Sequence, residues 1–158
     1  MFRHQKELQF EAKPEKPNPL VAKYLQELIG GQYGEMSVAM QYLFQGWSCR
    51  GEEKYKDMLM DIATEELGHV EMLATMVARL LEGAPVEDQE AAMKKDPTIG
   101  AIISGMNPQH AIVAGLGPRP ADSVGNPWSG AYIIASGNLL ADFRANLNAE
   151  SQGRLQVA

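Results

Sequence analysis

The sequence predicts an all-α protein of three long helices with one long crossover between the second and the third. Two proline-free segments, over about 20–48 and 52–82, repeat apolar residues at helical spacing. A third such segment closes the chain over about 129–158, and the stretch before it, about 86–128, is punctuated by glycine and proline instead. The 158 residues fit one domain, and a hydrophobic share of 45% suffices for a sizeable core.

Residues 1–18 alternate charged and apolar positions and then meet Pro14 and Pro17, with Pro19 following. Proline denies the chain a helix interior, so these residues read as an extended arm ahead of a helical domain over 19–158. In the first helix Leu25, Leu28, Gln32, Glu35, Ala39, Tyr42 and Leu43 share one stripe. Gly30 and Gly31 each weaken that helix by roughly 1 kcal/mol relative to alanine. Cys49-Arg50-Gly51 is a short break. The second helix then carries Leu59, Ile62, Glu66, His69, Leu73, Met76 and Leu80 at steps of three and four, and stops at Gly83-Ala84-Pro85. Helices joined by so few residues pack as an antiparallel hairpin, each roughly 40–45 Å long.

Residues 86–97 have the composition of a short acidic helix. Glycine and proline then recur from Ile99-Gly100 to Asn126-Pro127, in a stretch long enough to be functional, to meet a partner, or to bring the third helix parallel to the second. The stripe of the third helix is Tyr132, Ser136, Leu139, Phe143, Leu147, Glu150 and Val157. It reaches Ala158 with no stop signal, which leads us to expect a truncated sequence and a missing fourth helix.

The formal net charge of −6 argues against nonspecific nucleic-acid binding and against an anionic membrane surface. Metal cations and small neutral molecules remain as fitting partners. With Cys49 alone, no disulfide forms within the chain. No apolar run approaches the roughly 18 residues of a membrane span, and residues 1–10 lack the apolar run of a secretory signal, so the cytoplasm is the expected compartment.

The chemistry is announced by charged residues in apolar stripes. Glu66 and His69 lie one turn apart on the core face of the second helix; Glu35 does the same on the first helix, and Glu150 on the third. Taken singly, each has an ordinary reading: a solvated Glu-x-x-His, a hydrogen-bonded core histidine, a marginal carboxylate, a frayed helix end. Jointly they place three carboxylates and an imidazole in one interior, where unpaired charge is costly. A pair of divalent ions resolves that cost, since these are suitable ligands for manganese and iron. Di-metal helical bundles use this layout, with Glu on two helices and Glu-x-x-His on the other two.

Several segments resemble the manganese catalases. They are the opening Met1-Phe2-Arg3-His4-Gln5-Lys6-Glu7-Leu8-Gln9, Gly34-Glu35-Met36-Ser37 with Gln41-Tyr42, and Ala63-Thr64-Glu65-Glu66-Leu67-Gly68-His69-Val70-Glu71. Met106-Asn107-Pro108-Gln109-His110-Ala111, Asp122-Ser123-Val124-Gly125-Asn126-Pro127-Trp128 and Asn148-Ala149-Glu150-Ser151-Gln152-Gly153-Arg154 are similar too. The resemblance implies a ferritin-like four-helix bundle with two manganese ions, dismutating hydrogen peroxide to water and oxygen. It implies Glu66 as the bridging carboxylate, Glu35 and His69 on one ion, and Glu150 on the other. The family's second histidine ligand lies on a fourth helix, beyond Ala158.

The resemblance also implies that Tyr42 hydrogen-bonds near the metals, although an ordinary core tyrosine fits the position equally. Some members of the family bind calcium at a pair such as Asp57 and Asp61, which also reads as a solvated acidic face. His110 is expected to be structural. The family implies a homo-oligomer, a hexamer, which the arm and the crossover would wrap. Iron suits the same ligands, so a di-iron oxidase or peroxidase is the competing enzyme. A catalytically inactive relative of the spore-coat type, or an inactive fragment, is the competing non-enzyme.

Overall fold

The structure, a computed structural model, describes residues 3–83 and 117–157. The acidic helix expected over 86–97, His110 and most of the crossover lie outside these residues. The described residues form α1 (Pro19–Gly30), α2 (Glu35–Ser48), α3 (Glu53–Leu81) and α4 (Leu139–Val157), with one 3-10 turn at Gly130–Tyr132 and no β-strand. Among them no helix is long and apolar enough to cross a membrane.

Asn18 opens α1: its Oδ1 accepts the Val21 N–H at 3.1 Å, with Pro19 in the first turn where a missing N–H costs little. The single helix expected over 20–48 is in fact two. Gly31 and Gly34 are extended, with ψ 169° and 166°, so the chain steps sideways before α2 begins. The low helix propensity of the paired glycines permits the break, and neighbouring groups hold it. Trp128 Nε1 donates to Ser37 Oγ at 2.9 Å, and that hydroxyl donates to Gly31 O at 3.2 Å. Gly30 lies so close to the 117–128 segment that a Cβ there would stand 2.1 Å from Ala121 O.

The broken rod α1–α2 runs antiparallel to α3. Asn18 N–H donates to Leu80 O at 2.9 Å at one end. Ala22 and Ile29 pack with Val77 and Leu80, and further along Val38, Tyr42 and Leu43 pack with Leu59 and Ala63. Two apolar clusters therefore occupy the two halves of the bundle. The arm lies along α3 of its own chain: Ala12 is buried, Arg79 Nη1 donates to Ala12 O, and the Phe10 N–H meets Met72 Sδ at 3.2 Å.

α4 packs antiparallel to α2, and so parallel to α3, as its contacts show. Asn146 meets Gln41 and Gln45, Glu150 meets Tyr42, and Gly153 lies beside the Tyr33 carbonyl. The helix begins at Leu139, not near residue 129 as its stripe suggested. Residues 133–138 are held out of the helix by side chains. Gln41 and Gln45 bond both sides of the Ile134 backbone, and Asp142 accepts from Ser136 N–H, Ser136 Oγ and Gly137 N–H. Gly137 has φ +77°, a conformation that glycine alone adopts freely. The inward face matches the expected stripe only in part, since Leu139 and Phe143 pack against the core. Leu147 and Val157 are 70% and 66% exposed, whereas Asp142, Asn146 and Ala149 are buried.

Gly30→Ala tests the close approach at Ala121. Alanine gains up to about 1 kcal/mol of helix propensity, but the clash with fixed backbone costs about 1–3 kcal/mol. We expect a lower urea midpoint for Gly30→Ala and none for Gly130→Ala, where nothing lies within 4 Å of an added Cβ.

Candidate metal centre

Between the two apolar clusters, at the level of the α1–α2 break, the bundle is polar. Glu35 is the first residue of α2, where the free N–H groups of a helix start favour a carboxylate. Glu66 and His69 project from the middle of α3, one turn apart. One ligand atom from each of the three lies within 4.8 Å of the other two. His69 Nδ1 stands 3.0 Å from Glu66 Oε2 and 3.7 Å from Glu35 Oε2, so the same ring nitrogen faces both carboxylates. Glu66 is buried, and Glu35 and His69 are partly buried.

Burial sets the electrostatics. It pushes the Glu35 carboxyl up to about 8; a hydrogen bond to Glu66 and the Glu66 and Glu150 charges act in the same direction, against His69. Glu66 is raised as well, first by burial and then by the Glu150 and Glu65 charges, while its hydrogen bond with Glu35 works the other way. In the metal-free chain at neutral pH, Glu35 thus carries the proton and Glu66 accepts it.

Glu150 comes from α4 and is exposed, yet it belongs to the same neighbourhood. Its Oε1 accepts the Tyr42 hydroxyl at 3.0 Å. Tyr42 is buried and titrates above its ordinary range, chiefly from burial and then from the Glu150 charge. The phenol therefore stays a donor at every physiological pH.

Asp57 and Asp61 stand exposed on α3, and among the described residues no third acidic, histidine or cysteine side chain gathers with them. No second histidine joins Glu35, Glu66 and His69 among those residues either. The donor set suits a divalent cation: hard carboxylate oxygens and one imidazole nitrogen, crowded together at a cost that a dication relieves.

The sequence stripes passed over the amides beside this centre. Gln41, Gln45 and Asn146 are all buried and bonded to one another. Their signal was available, since Gln41 and Gln45 are four apart on an apolar helix and Asn146 is four before Glu150.

The raised Glu35 carboxyl gives a signed pH dependence. Folded protein binds a proton there that the unfolded chain releases near 4.5, so stability from this group is present below that pH and is lost as pH rises through about 8. We expect the thermal midpoint of metal-free protein to fall across this window, and Glu35→Gln to flatten the profile. Metal affinity runs the other way, rising with pH as the proton is displaced; the pH dependence of a Mn2+ titration measures it.

Comparison with known proteins establishes the family. A family model for manganese containing catalase matches residues 1–158. A manganese catalase of Bacillus subtilis is 72% identical over all of this chain, and one of Lactiplantibacillus plantarum is 46% identical. The chain spans 58% and 59% of their respective lengths. The crystal structure of KatB, a manganese catalase from Anabaena, superposes with a TM-score of 0.77 at 32% identity, covering 99% of this chain and 64% of that one. The buried Glu-x-x-His facing a helix-start carboxylate is thus met in a chain that belongs, over its whole length, to the manganese-containing catalase family.

Proposed function

We propose that this chain supplies most of a dinuclear manganese site, and that the reaction served there is the dismutation of two hydrogen peroxide molecules to two waters and one dioxygen. The observation that carries the reading is the convergence of Glu35, Glu66 and His69 in the bundle interior. Glu35, Glu66 and His69, with Glu150 beside them, are the residues that would hold the ions. Manganese held there would supply the redox capacity that the side chains themselves lack.

The side chains have their own tasks. Glu35 gives up its proton when the site is loaded, because a dication offsets the burial and the neighbouring carboxylate charges that hold the proton in place. Tyr42 donates to Glu150 and fixes one of its oxygens. The apolar residues on either side, Leu73 and Met36 towards one cluster and Val38 and Ala63 towards the other, limit the water around the carboxylates.

Calcium at Asp57 and Asp61 would need oxygen ligands from outside the described residues. A homo-oligomer belongs to the same reading, supported by the exposed Leu140, Leu147 and Leu155 on α4.

Protein produced with manganese and iron both available is expected to carry manganese and to release oxygen from hydrogen peroxide. Iron content with peroxide consumed and no oxygen released would favour a di-iron oxidase or peroxidase. Manganese-loaded protein that releases none would remove the catalase reading. His69→Ala is expected to weaken Mn2+ binding by about tenfold or more, at least as much as the loss of an outer hydrogen bond to a ligand, as measured by titration.

A further inference from the structure

Four groups beside the metal centre close a ring of hydrogen bonds. The Ile134 N–H donates to Gln41 Oε1 at 2.9 Å, and Gln41 Nε2 donates to Asn146 Oδ1 at 2.8 Å. Asn146 Nδ2 donates to Gln45 Oε1 at 2.7 Å, and Gln45 Nε2 donates to Ile134 O at 2.7 Å. Donation runs one way round, and its direction is fixed by the backbone of Ile134, where nitrogen can only donate and oxygen only accept. None of the three amides can flip without setting two donors or two acceptors against each other.

The ring joins α2, α4 and the segment between the 3-10 turn and α4. Glu150 is four residues beyond Asn146 on α4, one turn or about 6 Å along the axis, and Tyr42 lies between Gln41 and Gln45 in sequence. The ring and the Tyr42–Glu150 bond are therefore successive rungs between the same two helices. A slip of α4 by one residue would shift it by about 1.5 Å and turn it by about 100°, breaking both rungs.

Apolar packing shares in setting the register here: the half-buried Leu139 and Phe143 pack against the core cluster beside Ala149, while the other two buried residues of α4, Asp142 and Asn146, are polar. Apolar contacts are non-directional and tolerate a slip, whereas each buried amide left without a partner costs about 1–3 kcal/mol.

We propose that this amide ring is the register lock of α4 and that Asn146 is a positioning residue for Glu150, acting on metal binding without touching the metal. The proposal rests on the reading of Glu150 as a ligand, and a double-mutant cycle separates the two. Mn2+ affinity is measured for the unaltered chain and for Asn146→Leu, Glu150→Gln and the double variant, with circular dichroism to confirm the fold. Asn146→Leu is expected to weaken Mn2+ binding by about 10–100-fold, the range for an outer partner of a ligand. On the Glu150→Gln background it should add no more than about twofold, because its effect passes through the carboxylate already removed.

A full, additive loss on that background would overturn the proposal, since Asn146 would then be loosening the bundle at large. An unchanged affinity in Asn146→Leu alongside a weakened one in Glu150→Gln overturns the positioning role alone. An unchanged affinity in Glu150→Gln overturns the ligand reading, and the positioning role with it. If Asn146→Leu does not fold, Gln45→Met breaks the ring at a second joint and is put through the same cycle.

Discussion

Everything in this bundle is arranged around the cost of placing carboxylates side by side away from water. Glu35 and Glu66 meet in the interior with Glu150 close enough for its charge to disfavour ionisation of both. Such a group is unfavourable by itself, and in the metal-free chain it survives by keeping a proton on Glu35. Two apolar clusters, one on each side, supply the burial that keeps the helices together across the polar level. The separation of these clusters is thus a requirement of the site.

The step between α1 and α2 follows from the same constraint. An unbroken helix would carry Glu35 in its middle, with its N–H groups already spent on intrahelical bonds. Breaking it at Gly31 and Gly34 makes Glu35 the first residue of a new helix, where the partial positive charge of the helix start faces the carboxylate. The break in turn leaves polar backbone to satisfy. Ser37 accepts from Trp128 and donates to Gly31, while Gln26 Nε2 bonds the Arg119 and Ala121 carbonyls. The 117–128 segment is held on the bundle by the groups that the break requires.

The long helices and the Glu66–His69 pair were legible in the sequence because the signals are local and regular: steps of three and four, and two ligand types one turn apart. Glu35 was legible as a core-facing residue but not as a helix start, because Gly30 and Gly31 lower propensity without saying whether tertiary contacts will exploit it. The start of α4 was missed for a similar reason. Residues 129–138 continue the apolar spacing, and only side chains roughly ninety residues earlier, Gln41 and Gln45, pull Ile134 out of it. The exposed sides of Leu147 and Val157 show the limit of an apolar stripe as a guide. On α4 the stripe finds Leu139 and Phe143, which pack on the core, but the fully buried positions are Asp142, Asn146 and Ala149, which a count of hydrophobic residues does not find.

The composition of that face bears on how the molecule opens. Elements fixed by little apolar area and a few directional bonds detach at a lower free energy than those with a large apolar interface, and they do so as a unit. The α2–α3 hairpin holds Leu43, Leu59 and Ala63 in its interface, whereas α4 adds Ala149 and the half-buried Leu139 and Phe143 and is otherwise tied down by amides and one phenol. Glu35, Glu66 and His69 thus sit on the stiffer part, and the third carboxylate, Glu150, rides on the element held by fewer apolar contacts. Such a division separates a site's permanent floor from its movable wall.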